Sequence, residues 1–195
     1  MILHRWGEVE YNKAREMMQE VHTLVQKDGQ NHLILCSHPD IFTVGVAEDE
    51  QFAVRVVQSD RGGSITCHSV GQNIFYFCFQ VQNPARFYKK VVQSFEKFFE
   101  KHLPTVAYNK AQAGFYTQNR KIASLGFRYS HGVSLHGVAL NVDVDLAFHS
   151  QVNPCNLEGI VPTSLHSEGC MLTQEAVDQE IISLLERSFN DAIQA

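Results

Sequence analysis

The segment from Asn83 to His102 most constrains the fold of this chain. Its apolar residues recur at helical spacing, Asn83 is a typical N-cap, Pro84 suits the first helical turn, and Pro104 follows the last periodic residue. The preceding aromatic run from Ile74 to Val81 predicts a strand. The sequence therefore predicts a strand followed by a helix whose apolar face consists of Phe87, Val91, Val92, Phe95, Phe98 and Phe99.

Two more helices are predicted near the ends of the chain. Residues 11–27 have helical spacing and stop at Asp28-Gly29, and Thr173 can cap a final helix. Short extended stretches lie between the helices, at residues 32–36, 53–57, 114–117, 121–129 and 133–142. This order predicts an α+β fold, and the length of 195 residues suits a single domain spanning 1–195.

The last extended stretch alternates between two faces. Leu135, Gly137, Ala139 and Asn141 share one face, and His136, Val138, Leu140 and Val142 share the other.

Composition and charge exclude several classes of protein. Hydrophobic residues make up 44% of the chain and charged residues 19%, as in globular proteins, and the net charge of −5 argues against a general affinity for nucleic acids or anionic membranes. Five cysteines without a Cys-x-x-Cys pair favour a reduced protein without structural zinc. No signal peptide and no run of eighteen apolar residues is present, so we expect a cytoplasmic protein.

A glycine-rich segment from Asp60 to Gln72 is the first candidate for a binding site. The paired glycines Gly62-Gly63 let backbone N–H groups approach a ligand, Arg61 offers a bidentate donor, and His68 can donate or accept near neutral pH. The alternative is a β-hairpin turn with a solvated arginine.

Lys121 and Cys155 are the candidates for chemistry. Lys121 begins an otherwise apolar stretch; it is either an exposed edge charge or, if buried, an amine able to move protons. Cys155 follows Asn153-Pro154 between a strand-rich region and a loop. This position favours an accessible thiol over the default role of a cysteine, which is packing in the core. A cation near a thiol favours thiolate and so acyl transfer. Cys67, next to His68, is the rival nucleophile.

Five segments in this order resemble the octanoyltransferase family of lipoic acid synthesis. They are residues 37–45, 61–72, 121–126, 134–142 and 153–155. The resemblance implies the fold of lipoate ligases and biotin protein ligases, a mixed sheet with flanking helices around an acyl-binding tunnel. It also implies that Cys155 carries an octanoyl thioester while Lys121 acts as acid and base.

The resemblance further implies a substrate site, partners and no cofactor. The donor is octanoyl-acyl carrier protein, and the acceptors are lipoyl domains of 2-oxoacid dehydrogenases and the glycine cleavage H protein. No nucleotide is required, since thioester exchange is nearly balanced and the amide product is downhill. The residues expected to line the acyl chain and its carbonyl are Arg61, Gly62, Gly63, Ser64, Ile65, Thr66, Cys67, His68, Ser124, Leu125, Gly126, Gly137, Val138 and Ala139.

The chain departs from the family pattern at two places, and three alternatives remain. Cys67-His68-Ser69-Val70 stands where the family usually has Tyr-His-Gly-Pro, and Asn156 replaces the glycine after the reactive cysteine. The alternatives are an ATP-dependent lipoate-protein ligase, a non-catalytic module that binds an acyl group or a lipoyl domain, and a hydrolase that uses Cys67 and His68.

Overall fold

A computed structural model of the chain describes residues 1–46, 52–152 and 159–190. The helices are α1 (Tyr11–Asp28), α2 (Pro84–His102), α3 (Leu146–His149) and α4 (Gln174–Asn190). The strands are β1 (Ile2–Glu8), β2 (His32–Ser37), β3 (Ile41–Val44), β4 (Val56–Gln58), β5 (Ile65–His68), β6 (Gln72–Cys78), β7 (Ala107–Asn109), β8 (Gly114–Thr117), β9 (Arg120–Ser130), β10 (Val133–Asn141) and β11 (Val161–Pro162).

The described strands form a large and a small mixed sheet. The large sheet has the order β1-β2-β6-β10-β9-β8-β7, and β11 joins it beside β9. Its β1–β2 and β9–β11 pairs are parallel, and its other pairs are antiparallel. In the small sheet, β3 is parallel to β4 and antiparallel to β5. The expected α+β class with a mixed sheet is confirmed.

The three long helices begin or end where the sequence predicts. Gly29 follows α1 in the left-handed conformation, with φ of 70°, which glycine adopts readily. The Asn83 side chain accepts a hydrogen bond from the Arg86 N–H at 3.0 Å, and Thr173 Oγ1 accepts one from the Ala176 N–H at 3.2 Å. These caps satisfy backbone donors that a helix leaves open at its first turn.

Helices cover both faces of the large sheet. On one face, the aromatic residues of α2 and the apolar residues of α4 pack against β6, β8, β9 and β10. On the other face, Ala14, Met18, Val21 and Val25 of α1 pack against β2, β6 and β10. The small sheet lies beside α1, since Tyr11 stacks on His68 of β5 with ring centroids 5.7 Å apart.

The two ends of the large sheet are irregular or short. In β1, Arg5 pairs with Leu35 and Gly7 with Cys36, so Trp6 is an extra residue that forms a bulge. At the opposite end, β7 has three residues. Among the helices that the structure describes, none combines the length and apolar character of a membrane span.

Candidate active site

Three neighbouring strands of the large sheet form the floor of a central cavity. Ala139 of β10 lies between Ile74 of β6 and Ser124 of β9. At the next position on the same face, Gly137 of β10 lies between Tyr76 of β6 and Gly126 of β9. Because side chains alternate between the faces of a sheet, these six residues face the same way, and the small ones leave space above the sheet.

Close backbone contacts require glycine at two positions of this floor. A Cβ on Gly137 would lie 1.9 Å from the Phe75 carbonyl oxygen, and a Cβ on Gly126 would lie 2.9 Å from the carbonyl oxygen of Gly62. Both distances are shorter than van der Waals contact. The glycines therefore serve strand and loop packing, and they leave the floor of the cavity bare of side chains.

The central cavity is a narrow cleft of about 30 Å³ above this floor. Nine of the residues expected to bind substrate line it, together with Tyr11, Ile74, Tyr76 and His136. The nine are Arg61, Thr66, His68, Ser124, Leu125, Gly126, Gly137, Val138 and Ala139.

The glycine-rich segment is docked on the large sheet. The buried guanidinium of Arg61 donates through Nη2 to the Thr43 carbonyl oxygen and to Thr43 Oγ1, each at 2.9 Å, and through Nη1 to the Gly62 carbonyl oxygen at 3.1 Å. The Gly62 N–H donates to the Phe127 carbonyl oxygen of β9 at 3.1 Å. The alternative of a hairpin turn with a solvated arginine is therefore wrong.

A chain of buried hydrogen bonds fixes the orientation of His68. Gln72 Nε2 donates to Asn141 Oδ1 at 2.8 Å and to the Cys67 carbonyl oxygen at 3.2 Å. Gln72 Oε1 is consequently the acceptor for His68 Nδ1, at 2.8 Å. The other ring nitrogen, Nε2, then accepts from Thr43 Oγ1 at 3.3 Å, so the network assigns His68 as the neutral Nδ1–H tautomer.

Burial also determines the titration of His68 and Cys67. Removal from water, followed by the nearby His38 ring, lowers the pKa of His68 well below its usual value, so the ring is neutral at pH 7. Burial raises the pKa of the Cys67 thiol far above its usual value, and the acidic Asp40 and Asp145 act in the same direction. With an unionised thiol and no available base on His68, this pair is poorly suited to nucleophilic catalysis.

Two tyrosines and a second histidine complete the wall beside α1. His38 has both ring nitrogens engaged: Nδ1 donates to the Val9 carbonyl oxygen at 2.7 Å, and Nε2 accepts from the Tyr76 hydroxyl at 2.7 Å. Tyr11 donates to Ser59 Oγ at 2.7 Å. No role of these residues is predicted by the sequence, although His38 lies in one of the segments that resemble the octanoyltransferase family.

Lys121 is buried in β9, so the alternative of an exposed edge charge is wrong. Its side chain is 5% exposed, and Nζ lies 5.4 Å from the centre of the Tyr116 ring. Burial disfavours an ammonium ion, whereas the face of an aromatic ring favours it. Gly114 provides the space, because a Cβ there would lie 2.7 Å from Lys121 Cε. Pro162 of β11 pairs with Lys121 on its other side.

Two further cavities adjoin the central cavity at Thr66 and Ser124, which line all three. The lysine cavity, of about 30 Å³, is also lined by Ile65, Cys67, Gln72, Lys121, Ala123, Asn141, His149, Val152 and Pro162. The outer cavity, of about 240 Å³, is lined by Arg61, Gly63, Ser64, Lys121 and residues of the β7–β8 turn. Every described residue of the predicted site therefore lines one of these cavities, except Gly62, which docks on β9.

His149 is a member of the lysine cavity that the sequence analysis missed. Ser69 Oγ donates to the Val70 carbonyl oxygen at 3.2 Å and so accepts from His149 Nε2 at 2.8 Å. Burial lowers the pKa of His149 to about 4, so the ring is neutral at pH 7. Ser69 and Val70 stand where the octanoyltransferase pattern has Gly-Pro, and the Ser69 hydroxyl is thus explained by its histidine partner.

Cys155 lies outside the described residues, as do Asn153, Pro154 and Asn156. The four described cysteines, Cys36, Cys67, Cys78 and Cys170, are all buried, and burial raises the pKa of Cys78 to about 12. Cys170 packs in the core beneath α2 and α4. Among residues 1–46, 52–152 and 159–190, no cluster of histidine, cysteine or acidic side chains has the arrangement of a metal site.

Comparison with known proteins gives a consistent family relationship. Residues 10–186 match the family described as the lipoyl protein ligase A/B catalytic domain. A protein from a Shewanella strain, named octanoyltransferase, is 35% identical over 188 residues, covering 91% of this chain and 87% of the relative. A Marinomonas protein of the same name is 34% identical over 169 residues, covering 82% and 79%.

Solved structures share the fold at low sequence identity. A crystal structure of lipoate-protein ligase A bound with ATP superposes with a TM-score of 0.74 and 14% identity, over 97% of this chain and 86% of the other. Biotin protein ligase from Aquifex aeolicus gives a TM-score of 0.56 and 11% identity, over 98% and 70%. The expected fold of lipoate and biotin ligases is confirmed.

Proposed function

The chain belongs to the lipoyl protein ligase A/B catalytic domain family, and we propose that it is an octanoyltransferase of lipoate synthesis. In this proposal, residues 1–195 form one catalytic domain that moves an octanoyl group from octanoyl-acyl carrier protein to a lysine of a lipoyl domain. The burial of Lys121 beside a chain of connected cavities is the observation that carries the proposal.

In the first step, the Cys155 thiolate attacks the carbonyl carbon of the donor thioester. A carbon–sulfur bond to Cys155 forms, and the bond to the donor's sulfur breaks. Lys121, as the ammonium, gives its proton to the departing thiolate, so the carrier leaves as a thiol and Lys121 becomes a neutral amine.

In the second step, the neutral amine of the acceptor lysine attacks the octanoyl-cysteine. The amide bond forms as the bond to Cys155 breaks, and the proton lost by the attacking nitrogen passes to Lys121. The enzyme returns to a thiolate beside an ammonium ion. No ATP enters this balance, because the donor thioester already holds an activated acyl group.

Chain connectivity supports the pairing of Cys155 with Lys121. Val152, the last described residue before Cys155, lines the lysine cavity together with Lys121. Cys155 follows Val152 by three positions, and three residues span at most about 11 Å. A free thiol also suits a reduced compartment, for which we propose the cytoplasm.

The central cavity supports an aliphatic substrate with a polar end. Ile74, Gly126, Gly137 and Ala139 offer an apolar floor for the octanoyl chain. We assign the carbonyl end to Thr66 and Ser124, which border both this cavity and the lysine cavity. The amides of Gly62 and Leu125 already donate to the carbonyl oxygens of Phe127 and Ala113, so other donors must bind an oxyanion.

Intact-mass measurement tests the proposal. After incubation with octanoyl-acyl carrier protein and no ATP, we expect one octanoyl group on Cys155, released by hydroxylamine and transferred to an added lipoyl domain. Cys155→Ser should abolish rapid transfer, and Cys67→Ser, which changes a buried thiol in the same cavity, should leave the adduct intact. An enzyme that requires ATP, forms no adduct or releases free octanoate would contradict the proposal.

The proposed acceptors are lipoyl domains of 2-oxoacid dehydrogenases and the glycine cleavage H protein, with no nucleic acid or membrane partner.

A further inference from the structure

His136 interrupts the regular course of β10. Its φ of 61° lies in the left-handed region that residues other than glycine rarely adopt within a strand. Its backbone N–H donates to Met18 Sδ at 3.3 Å. Nearby, Ser134 Oγ accepts from the Phe79 N–H at 3.1 Å and donates to the Phe77 carbonyl oxygen at 2.8 Å, bridging β10 and β6 where the ladder opens.

The unusual backbone moves the His136 ring to the other face of the sheet. In a regular strand, His136 would face the same way as Val138 and Leu140, which pack in the core beneath α2 and α4. The His136 ring instead meets the Tyr76 ring on the α1 side, with centroids 6.0 Å apart and planes at 82°. The sequence prediction that His136 shares a face with Val138 is therefore wrong, because alternation assumes extended backbone at every residue.

In this position, the ring separates the central cavity from a cavity beneath α1. The α1 cavity, of about 420 Å³, is lined by Asn12, Arg15, Glu16, Met18, Gln19, Asp60, Leu135 and His136. Within the described part of the chain, His136 is the only residue that lines both. It is 1% exposed. The partition between the narrow central cavity and the wider α1 cavity thus consists of one imidazole.

The partition is held through one ring nitrogen. His136 Nε2 donates to Asp60 Oδ1 at 2.7 Å, and Asp60 also pairs with Arg128 and with Arg15. Nδ1 of His136 has no hydrogen-bond partner among the residues described. His38, by contrast, is fixed at both nitrogens.

The dimensions of the floor match an eight-carbon chain. Ser124, to which we assign the carbonyl end, pairs with Ala139, and from there the floor runs along β10 to His136. Three residues of strand cover about 10 Å. An extended octanoyl chain has seven carbon–carbon bonds, each of which advances about 1.25 Å along the zigzag, so it spans about 9 Å. Its methyl end would therefore come within van der Waals contact of the His136 ring.

We propose that His136 sets the acyl-chain length, by closing the central cavity at the methyl end and keeping longer chains out of the α1 cavity. This inference rests on the proposed octanoyl transfer. It makes His136 a specificity-determining residue, whereas Lys121 and Cys155 perform the chemistry.

The test replaces the ring by a residue that suits its backbone. Glycine adopts positive φ without strain, so His136→Gly should fold while joining the two cavities. The ratio of kcat/KM for dodecanoyl- over octanoyl-acyl carrier protein should rise at least about tenfold, since mismatch in an apolar pocket commonly changes selectivity by roughly 10- to 200-fold. Gln19→Ala is the matched control: it shortens a side chain that lines the α1 cavity and not the central cavity, and it should leave the ratio unchanged.

Calorimetric binding of octanoate and dodecanoate provides a second readout, independent of transfer. A rise in the dodecanoate-to-octanoate affinity ratio for His136→Gly supports the inference even if this variant transfers slowly. An unchanged ratio in both assays, or wild-type transfer of dodecanoyl as fast as octanoyl, overturns it. Failure of the proposed function looks different, because the wild-type protein would then transfer neither acyl group.

Discussion

Replacing Gln72 by methionine tests the hydrogen-bond chain that orients His68. Gln72 is 3% exposed and makes three buried hydrogen bonds, to His68 Nδ1, Asn141 Oδ1 and the Cys67 carbonyl oxygen. Methionine has a similar length and flexibility but neither donates nor accepts strongly. Gln72→Met therefore removes three partners while keeping the volume nearly constant.

The expected cost follows from the groups left behind. Each buried polar group that loses its partner costs roughly 1–3 kcal/mol, but losses within one network are not additive. We expect the free energy of unfolding to fall by about 3–5 kcal/mol, near the upper end for single substitutions. For a chain of this length, each kcal/mol lowers Tm by roughly 2–4 °C, so Tm should fall by about 6–20 °C.

Thermal and urea denaturation followed by circular dichroism measure this effect. Gln93→Met, at an exposed position of α2, is the matched control and should change the free energy of unfolding by less than about 0.5 kcal/mol. If Gln72→Met melts within about 2 °C of the wild-type protein, the three hydrogen bonds do not hold His68 as described.

Three further substitutions probe other contacts. The pKa of His149 is about 4 in the folded protein, against 6.5 for an ordinary histidine. Between pH 6.5 and pH 4, this histidine is therefore protonated in the unfolded chain and neutral in the folded protein. As the pH falls from 6.5 to 4, the free energy of unfolding of the wild-type protein should decrease by up to about 3 kcal/mol. Urea denaturation should show a smaller decrease for His149→Phe over the same pH range. Equal decreases in the two proteins would show that His149 is not the cause. Gly137→Ala places a Cβ against the Phe75 carbonyl and should lower stability by about 3 kcal/mol or more, which an unchanged Tm would disprove. In Gly114→Ala the added Cβ would lie 2.7 Å from both Lys121 Cε and the Ala123 carbonyl oxygen, so this variant should lower Tm and slow octanoyl transfer by roughly 10²-fold; transfer at the wild-type rate would disprove this expectation.

The helices could be predicted from the sequence because their signals are local. Asn83 and Pro84 specify the start of α2 within two residues, and Gly29 specifies the end of α1. The short strands β3, β5 and β7 were missed, because three or four residues carry no measurable periodicity. Their pairing is decided by partners elsewhere in the chain.

Site residues could be predicted where the residue type itself implies the chemistry. They could not be predicted where their role depends on contacts that form only in the folded protein. Arg61 and the glycines of the predicted site came from local pattern and family resemblance. The partnership of Gln72 with Asn141 joins positions 69 residues apart, and the left-handed φ of His136 has no signature in an otherwise alternating strand. The burial of Lys121 depends on β8 and β11, which flank it only after folding. The role of Cys155 stays a prediction.

The bulge at Trp6 has a consequence for how the chain behaves in a crowded solution. A straight edge strand presents consecutive free N–H and C=O groups, on which an edge of another molecule can add and begin aggregation. In β1, the extra residue breaks that spacing, and the charged Arg5 and Glu8 flank it. The far edge, β7, is three residues long. We therefore expect the large sheet to add strands from other molecules poorly, which allows the protein to be kept at the concentrations that the mass and calorimetry experiments need.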